Sequence, residues 1–235
     1  MSLTPDLRAA LLKVSAATVT TVLIKQGVRR HFIEGARPLV GEGERVVGEA
    51  FTLRFIPVRE DIATTASWAD PRSTRGAIEE MPAGCIAVAD AMGVTAAAIF
   101  GDILAMRMKV RGVAALVTDG MLRDLDGMRA TGLPTWCAGV AAPPSVGGLT
   151  FVGWQEPVGC GGVAVYPGDI IIADRDGAVC IPKAMVAAVA TEATEQEQFE
   201  AWAFEQIKNG APLPGTYPPN EQTKARYAAE KNKGR

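Results

Sequence analysis

The sequence predicts an α/β fold: a compact sheet core, part parallel and part antiparallel, with helices flanking it. Three observations carry that prediction. Between Cys85 and Ala138 short apolar runs alternate with helical segments, the order that right-handed crossovers turn into a parallel sheet. Between Gly161 and Pro182 three β-rich runs are joined by Pro167-Gly168-Asp169 and Arg175-Asp176-Gly177, turn signals that imply antiparallel pairing. From Lys183 to Lys208 there is neither Gly nor Pro and Ala, Glu and Gln abound, so one long helix is expected to end at Asn209-Gly210. With 235 residues, 48% hydrophobic and 21% charged, the chain can bury a substantial core. A single domain is expected over residues 1–210, followed by a Pro-rich segment and polar tail over 211–235.

The elements read in order as follows. Leu7 to Gly27 carries apolar residues at helical spacing and is one helix closed by Gly27, or two if Ser15 caps a second. Gly35 to Glu44 is turn-rich, and Val46 to Ile56 has the β-branched and aromatic content of a strand. Pro57 to Pro82 is the least regular stretch. It holds Arg59-Glu60-Asp61, Trp68-Ala69-Asp70-Pro71-Arg72 and Arg75, with one short helix expected near Gly76 to Glu80. It reads equally well as a solvated excursion or as a substrate-facing loop. Strands follow at Cys85–Ala89, Val94–Phe100, Val113–Val117 and Thr135–Ala138, with helices over Asp102–Arg111 and Leu122–Ala130 and a glycine just beyond each. Ala141 to Gly148 is a Pro/Gly-rich connector, and Glu221 to Arg235 a polar helical tail that either frays or packs on another subunit.

Charge and composition exclude several classes. Lys+Arg 24 against Asp+Glu 26 leaves a net charge of −2, without the basic excess that binding to a phosphate backbone requires. No apolar run spans a bilayer and Met1 to Asp6 lacks a signal pattern, so a cytoplasmic protein is expected. The four cysteines form no Cys-x-x-Cys pair and read as buried thiols. With His31 the single histidine, a divalent ion would need oxygen ligands.

The chemistry concentrates between Gly101 and Asp124. Gly101-Asp102-Ile103-Leu104 places free backbone N–H groups at a helix start, approachable because Gly101 has no side chain, which suits a carboxylate or phosphate. The plain alternative is an ordinary helix capped by Asp102. A second turn at Asp119-Gly120 leads to Arg123, suited to a bidentate carboxylate contact, and Asp124, suited to a cation. As neighbours in a first helical turn, Arg123 and Asp124 are expected to point apart without neutralising each other. If the two preceding apolar runs are adjacent parallel strands, both turns share the sheet edge where α/β proteins place ligands.

Asp102, twenty intervening residues and Arg123-Asp124 form a D-x20-R-D pattern. That pattern resembles the signature of the divalent-metal-dependent pyruvate aldolases of the 4-hydroxy-4-methyl-2-oxoglutarate aldolase type, which share a family with the RraA regulators of ribonuclease E. Met81 to Asp90, Val113 to Asp124, and Cys160 through Asp169 and Asp174 to Pro182 extend the likeness over most of Val14 to Pro182. The resemblance implies a fold related to swivelling phosphohistidine domains, assembled as trimers or pairs of trimers with sites between subunits. It also implies that Gly101, Asp102, Ile103, Leu104 and Arg123 hold pyruvate's carboxylate and oxygen atoms. In the same pattern Asp124 holds Mg²⁺ or Mn²⁺, largely with ordered water, and Asp102 positions a water for proton transfer. Arg123 and Asp102 are thus the expected catalytic residues and Asp124 the metal ligand.

The residue types suit the chemistry. Cleaving a 4-hydroxy-2-oxo acid leaves a pyruvate enolate, whose charge a divalent ion and an arginine stabilise more than they do the neutral ketone. The same site would serve decarboxylation of oxaloacetate. Two departures stand out: Thr20-Thr21-Val22 where these aldolases often have an Asp, and a long charged loop from Arg54 to Glu80, in which Arg54, Arg59 or Arg72 could meet a distal carboxylate or sugar hydroxyls. Glu197 or Glu200 of a neighbouring subunit is a candidate to complete the metal's surroundings. Schiff-base chemistry is disfavoured because Lys109, the lysine of the central unit, lies on a charged helix face, and no Gly-x-Gly-x-x-Gly follows a first strand. The competing class is a non-catalytic RraA-type protein that inhibits a ribonuclease by contact, which has no need of Asp102 and Asp124 together.

Overall fold

The N-terminal helical stretch breaks in two. In the computed structural model, which describes residues 3–41 and 44–233, α1 (Pro5–Leu11) and α2 (Ala16–Lys25) meet at a bend of 104°. Residues 1, 2, 42, 43, 234 and 235, in the N-terminus, the turn-rich stretch and the tail, lie outside the described residues. Ser15 makes the break by capping α2, its Oγ accepting the Thr18 N–H at 3.0 Å.

The remaining elements are β1 (Arg37–Val40), β2 (Val46–Pro57), α3 (Thr74–Glu80), β3 (Ile86–Asp90), β4 (Ala98–Phe100), α4 (Asp102–Val110), β5 (Ala115–Thr118), β6 (Met121–Leu122) and α5 (Leu125–Thr131). After them come β7 (Thr135–Cys137), β8 (Gly139–Val140), β9 (Leu149–Trp154), β10 (Ile170–Asp174), β11 (Gly177–Ile181), α6 (Val186–Lys208) and α7 (Glu221–Lys233). The main sheet runs β1-β7-β5-β3-β2-β10-β11, with β9 on the far half of β2. Its centre β2-β3-β5-β7 is parallel, and β1, β9, β10 and β11 join antiparallel, so the mixed α/β architecture is as predicted. The sheet curls until its edges approach: Ile33 N–H donates to the Ala178 carbonyl of β11 at 2.9 Å, just before β1 begins.

Curling sorts side chains by strand parity. On β3, Ile86 and Val88 join Val117, Trp136 and Ile171 in one cluster, while Ala87 and Ala89 pack with Ile78, Met108 and Met128 of α3, α4 and α5. A third cluster seats α1, α2 and α6 on Ile170, Ile172 and Val179. Every residue of β3, β5, β10 and β11 is buried, which explains why these strands read as continuous apolar runs.

The parallel strands do not stop at the sheet. Each of β3, β5 and β7 breaks and continues into β4, β6 and β8, which pair in parallel as a separate three-stranded sheet. The Asp119-Gly120 turn is therefore a step from one sheet to the other, and the pairing that unites the two predicted turns is β4 with β6, Phe100 opposite Leu122. Asp119 fastens this step: Oδ1 accepts the Ala91 N–H at 2.8 Å, and Oδ2 those of Gly93 and Gly161 at 3.1 Å each. Burial, together with the neighbouring Asp90, lifts its carboxyl above the ordinary range while the three N–H groups pull it down. In Asp119→Asn the amide NH₂ would face at least one of these N–H donors whichever way the amide is turned. We expect a loss of about 2–3 kcal/mol, a melting temperature lower by roughly 5–10 °C in a thermal scan. An unchanged melting temperature would show that the carboxylate does not tie the sheets together.

Four local expectations change. A strand, β1, lies inside the turn-rich stretch, and β9 occupies a segment to which no element was assigned. The apolar run from Val94 yields only Ala98–Phe100, because Met92 and Gly93 have positive φ (54° and 64°) and lead the chain out of the main sheet. The run from Gly161 is no strand, since Gly161 and Gly162 take φ of 53° and 75°. The tail packs on its own chain: Tyr227 of α7 meets Phe199 of α6 edge-on at 5.3 Å, and Trp202 Nε1–H donates to Glu230 at 2.7 Å.

Candidate functional site

Gly101, with extended φ −125° and ψ −176°, is the N-cap of α4, so Asp102 is its first helical residue rather than its cap. Asp102 Oδ1 accepts the Ile103 N–H at 2.7 Å, and the N–H groups of Asp102 and Leu104 have no acceptor among the described residues. A β-carbon on Gly101 would collide with Asp124 Oδ2 and lie 3.2 Å from both Arg123 Cγ and Nε. Only glycine lets these side chains lie against the helix start.

Asp124 is the strained residue of the site. Its φ of 57° and ψ of 49° are left-handed, uncommon for a non-glycine residue, and its side chain makes no capping hydrogen bond to α5. This conformation delays α5 to Leu125 and turns the carboxylate back, so that Arg123 Nε donates to Asp124 Oδ2 at 3.1 Å. The two side chains were expected to point apart; the positive φ brings them together instead.

All six predicted site residues, Gly101, Asp102, Ile103, Leu104, Arg123 and Asp124, line one cavity of about 320 Å³. Trp68, Thr74, Arg75 and Ser145, which were not predicted there, line it as well. Arg54 and Arg59 pair elsewhere, with Glu156 at 3.4 Å and Asp61 at 2.6 Å, and Arg72 lies over the Trp154 ring at 5.9 Å. Glu197 and Glu200 bond within the chain: Glu197 accepts the Ser15 N–H at 3.2 Å, and Glu200 the Tyr217 hydroxyl at 2.8 Å. All four cysteines are buried free thiols. Burial pushes Cys85 and Cys137 up to about 11 and raises Cys160 and Cys180 too, so none is a nucleophile near neutral pH.

The donor set fits a hard divalent ion. Asp124 is 43% exposed in its side chain, and its Oδ1 accepts no hydrogen bond among the described residues, which suits an ion that keeps most of its waters and takes one or two carboxylates. No group of three or more His, Cys, Asp or Glu among the described residues forms a cage. Such an ion would rest on Asp124, water and ligand oxygens.

Fold and cavity together define an α/β protein with a pocket beyond the C-terminal ends of β4 and β6, where Asp102, Arg123 and Asp124 sit among apolar residues such as Phe100 and Leu104. The chain belongs to the RraA-like family, whose model, described as Aldolase/RraA, matches residues 15–180. It is 34% identical over 148 residues to a protein of Halalkalibacterium halodurans named "Putative 4-hydroxy-4-methyl-2-oxoglutarate aldolase", covering 63% of this chain and 64% of that one. It is 26% identical over 178 residues to Protein DlpA of Legionella pneumophila, covering 76% of this chain but 28% of that protein. The chain thus spans less than two thirds of either relative. Among solved structures, Streptomyces coelicolor RraAS2, described as an unusual member of the RNase ES inhibitor RraA protein family, superposes with a TM-score of 0.77 at 34% identity, covering 86% of this chain and 98% of that one. Among the described residues no single helix is long and apolar enough to cross a membrane.

Proposed function

We propose that this protein is a divalent-metal-dependent class II aldolase that cleaves a 4-hydroxy-2-oxo acid to pyruvate and a carbonyl compound, with oxaloacetate decarboxylation as a side activity. The observation that carries this reading is the convergence of Asp102, Arg123 and Asp124 on one cavity at the start of α4. The names of the curated aldolase relatives support it.

The free N–H groups at the start of α4 and the Arg123 guanidinium hold the substrate's carboxylate and 2-oxo oxygen. Asp124 would hold Mg²⁺ or Mn²⁺, and the ion would supply Lewis-acid stabilisation of the enolate's charge. Asp102, through a water, takes the proton from the C4 hydroxyl. The C3–C4 bond then breaks, the carbonyl compound leaves, and the enolate regains a proton at C3. Arg123 stabilises the enolate more than the ketone, which is the source of acceleration.

A homo-oligomer, a trimer or a pair of trimers, belongs to this reading. Ile103, Met106 and Val110 form an apolar stripe on α4 beginning at the cavity, 80%, 43% and 67% exposed, which subunit contact would cover. A cytoplasmic location completes it. The second reading, a regulator that inhibits a ribonuclease by contact, draws on the similarity to RraAS2. Pyruvate release, coupled to lactate dehydrogenase over a panel of 4-hydroxy-2-oxo acids, separates the two. We expect turnover with Mg²⁺ or Mn²⁺, loss of it with chelator, and a drop of at least about 10²-fold in Asp124→Ala. Inactivity on every acid would favour the regulator, whereas activity indifferent to chelator and to Asp124→Ala would overturn the metal-dependent reading.

A further inference from the structure

The connector between β8 and β9 supplies a third parallel run beside β4 and β6. Ala141 N–H donates to the Leu122 carbonyl of β6 at 2.8 Å, Ala98 N–H of β4 donates to the Pro143 carbonyl at 2.9 Å, and Pro144 bridges Ala98 in parallel. Gly101, Arg123 and Ser145 therefore follow three parallel runs that point to the same edge of the small sheet. Two prolines fix φ just before Ser145, and a single 3₁₀ turn, Ser145–Gly147, closes behind it, with Gly148 N–H donating to the Ser145 carbonyl at 3.0 Å. A β-carbon on Gly148 would lie 3.1 Å from Ala97 Cβ, so the turn sits close on the chain that enters β4.

Ser145 lines the cavity beside Gly101, Asp102 and Arg123. It is half-buried, and its Oγ has no hydrogen-bond partner among the described residues. Thr74, the other residue with an aliphatic hydroxyl on this cavity, is 6% exposed and accepts from Arg75 Nη1 at 3.4 Å. Ser145 also lines an adjoining cavity of about 270 Å³, so it stands where the two meet. A substrate held by its carboxylate and 2-oxo oxygen at the α4 start and Arg123 carries its remaining carbons toward that junction. C4 is the first atom beyond the pyruvyl unit.

We propose that the Ser145 hydroxyl donates a hydrogen bond to the oxygen on C4 of the substrate and orients the C4–O bond for cleavage. This rests on the aldolase reading of the same cavity. The C4 hydroxyl's proton goes to the water on Asp102, its O–H electrons form the new carbonyl, and the C3–C4 electrons pass into the enolate. Negative charge therefore builds on the C4 oxygen before the carbonyl is complete. Ser145 keeps its own proton throughout; a donor fixed in advance stabilises that charge without reorganisation.

The test follows two reactions of one protein: pyruvate release from a 4-hydroxy-2-oxo acid, and solvent-deuterium exchange into the pyruvate methyl group, which involves no C4 oxygen. Ser145→Ala is expected to lower kcat/KM for cleavage by about 10- to 100-fold, mostly through kcat, and to change exchange by less than about twofold. Ser145→Thr, which keeps a hydroxyl, should recover part of the cleavage. The melting temperature of Ser145→Ala should match that of the wild type, since Oγ holds nothing in the fold. Cleavage unaffected by Ser145→Ala, cleavage and exchange lost together in that variant, or a cleavage defect confined to Thr74→Val would overturn the Ser145 contact and leave the aldolase standing. Exchange without cleavage of any 4-hydroxy acid would overturn the contact as well. Absence of both reactions in the wild type would overturn the contact and the aldolase reading together.

Discussion

Replacing Arg123 by lysine is expected to lower kcat for pyruvate release by about 10²–10³-fold, the range for removing one electrostatic contact made to the transition state. The melting temperature should move by no more than about 2 °C. Lysine keeps the charge but loses the planar fork that can hold a carboxylate and an enolate oxygen together. Stability is spared because the Arg123–Asp124 pair, 38% and 43% exposed in its side chains, is screened by water and contributes little to folding. Arg123 also lies outside the buried clusters that hold the helices to the sheet. Kinetics with and without the metal, beside a thermal scan, decide the matter. A fall in melting temperature that matched the loss of turnover would assign Arg123 a structural task.

Much of this site was legible in the sequence. The glycine before Asp102 and the Arg123-Asp124 pair are local signals, and α/β topology brings such turns together. The two-layer arrangement was not legible, because β4, β6 and β8 are only two or three residues long and read as extensions of their neighbours. Nor was the left-handed backbone at Asp124, which aspartate tolerates better than most residues but no local pattern signals, and which reverses the expected direction of its carboxylate. Arg75 was hidden for a different reason. Four arginines in the loop and its preceding strand look alike as letters, and only the fold shows which of them lines the cavity with Arg123.

Gly127→Ala separates sequence reasoning from structural reasoning most sharply. Gly127 lies inside α5 without a positive φ, so propensity alone predicts that alanine stabilises the protein by about 0.4–1 kcal/mol. Its missing β-carbon, however, is the space that Asp102 occupies. A methyl there would lie 2.7 Å from Asp102 Cβ and 2.8 Å from Cγ, and would collide with Oδ2. One of two short helices must therefore shift: α4, which carries Asp102, Ile103 and Leu104, or α5, whose N-cap is Asp124. We expect destabilisation of about 1–3 kcal/mol, as for an overpacked interior, and a fall in kcat/KM of about 10²-fold from the displaced carboxylate. In an Asp102→Gly background the crowding is gone, so Gly127→Ala should there become neutral or stabilising. That reversal of sign, read by thermal unfolding of the four proteins of the cycle, is what steric coupling between the two helix starts requires. Additive effects would mean that α5 has room for the methyl group and that Asp102 is not held in place by Gly127.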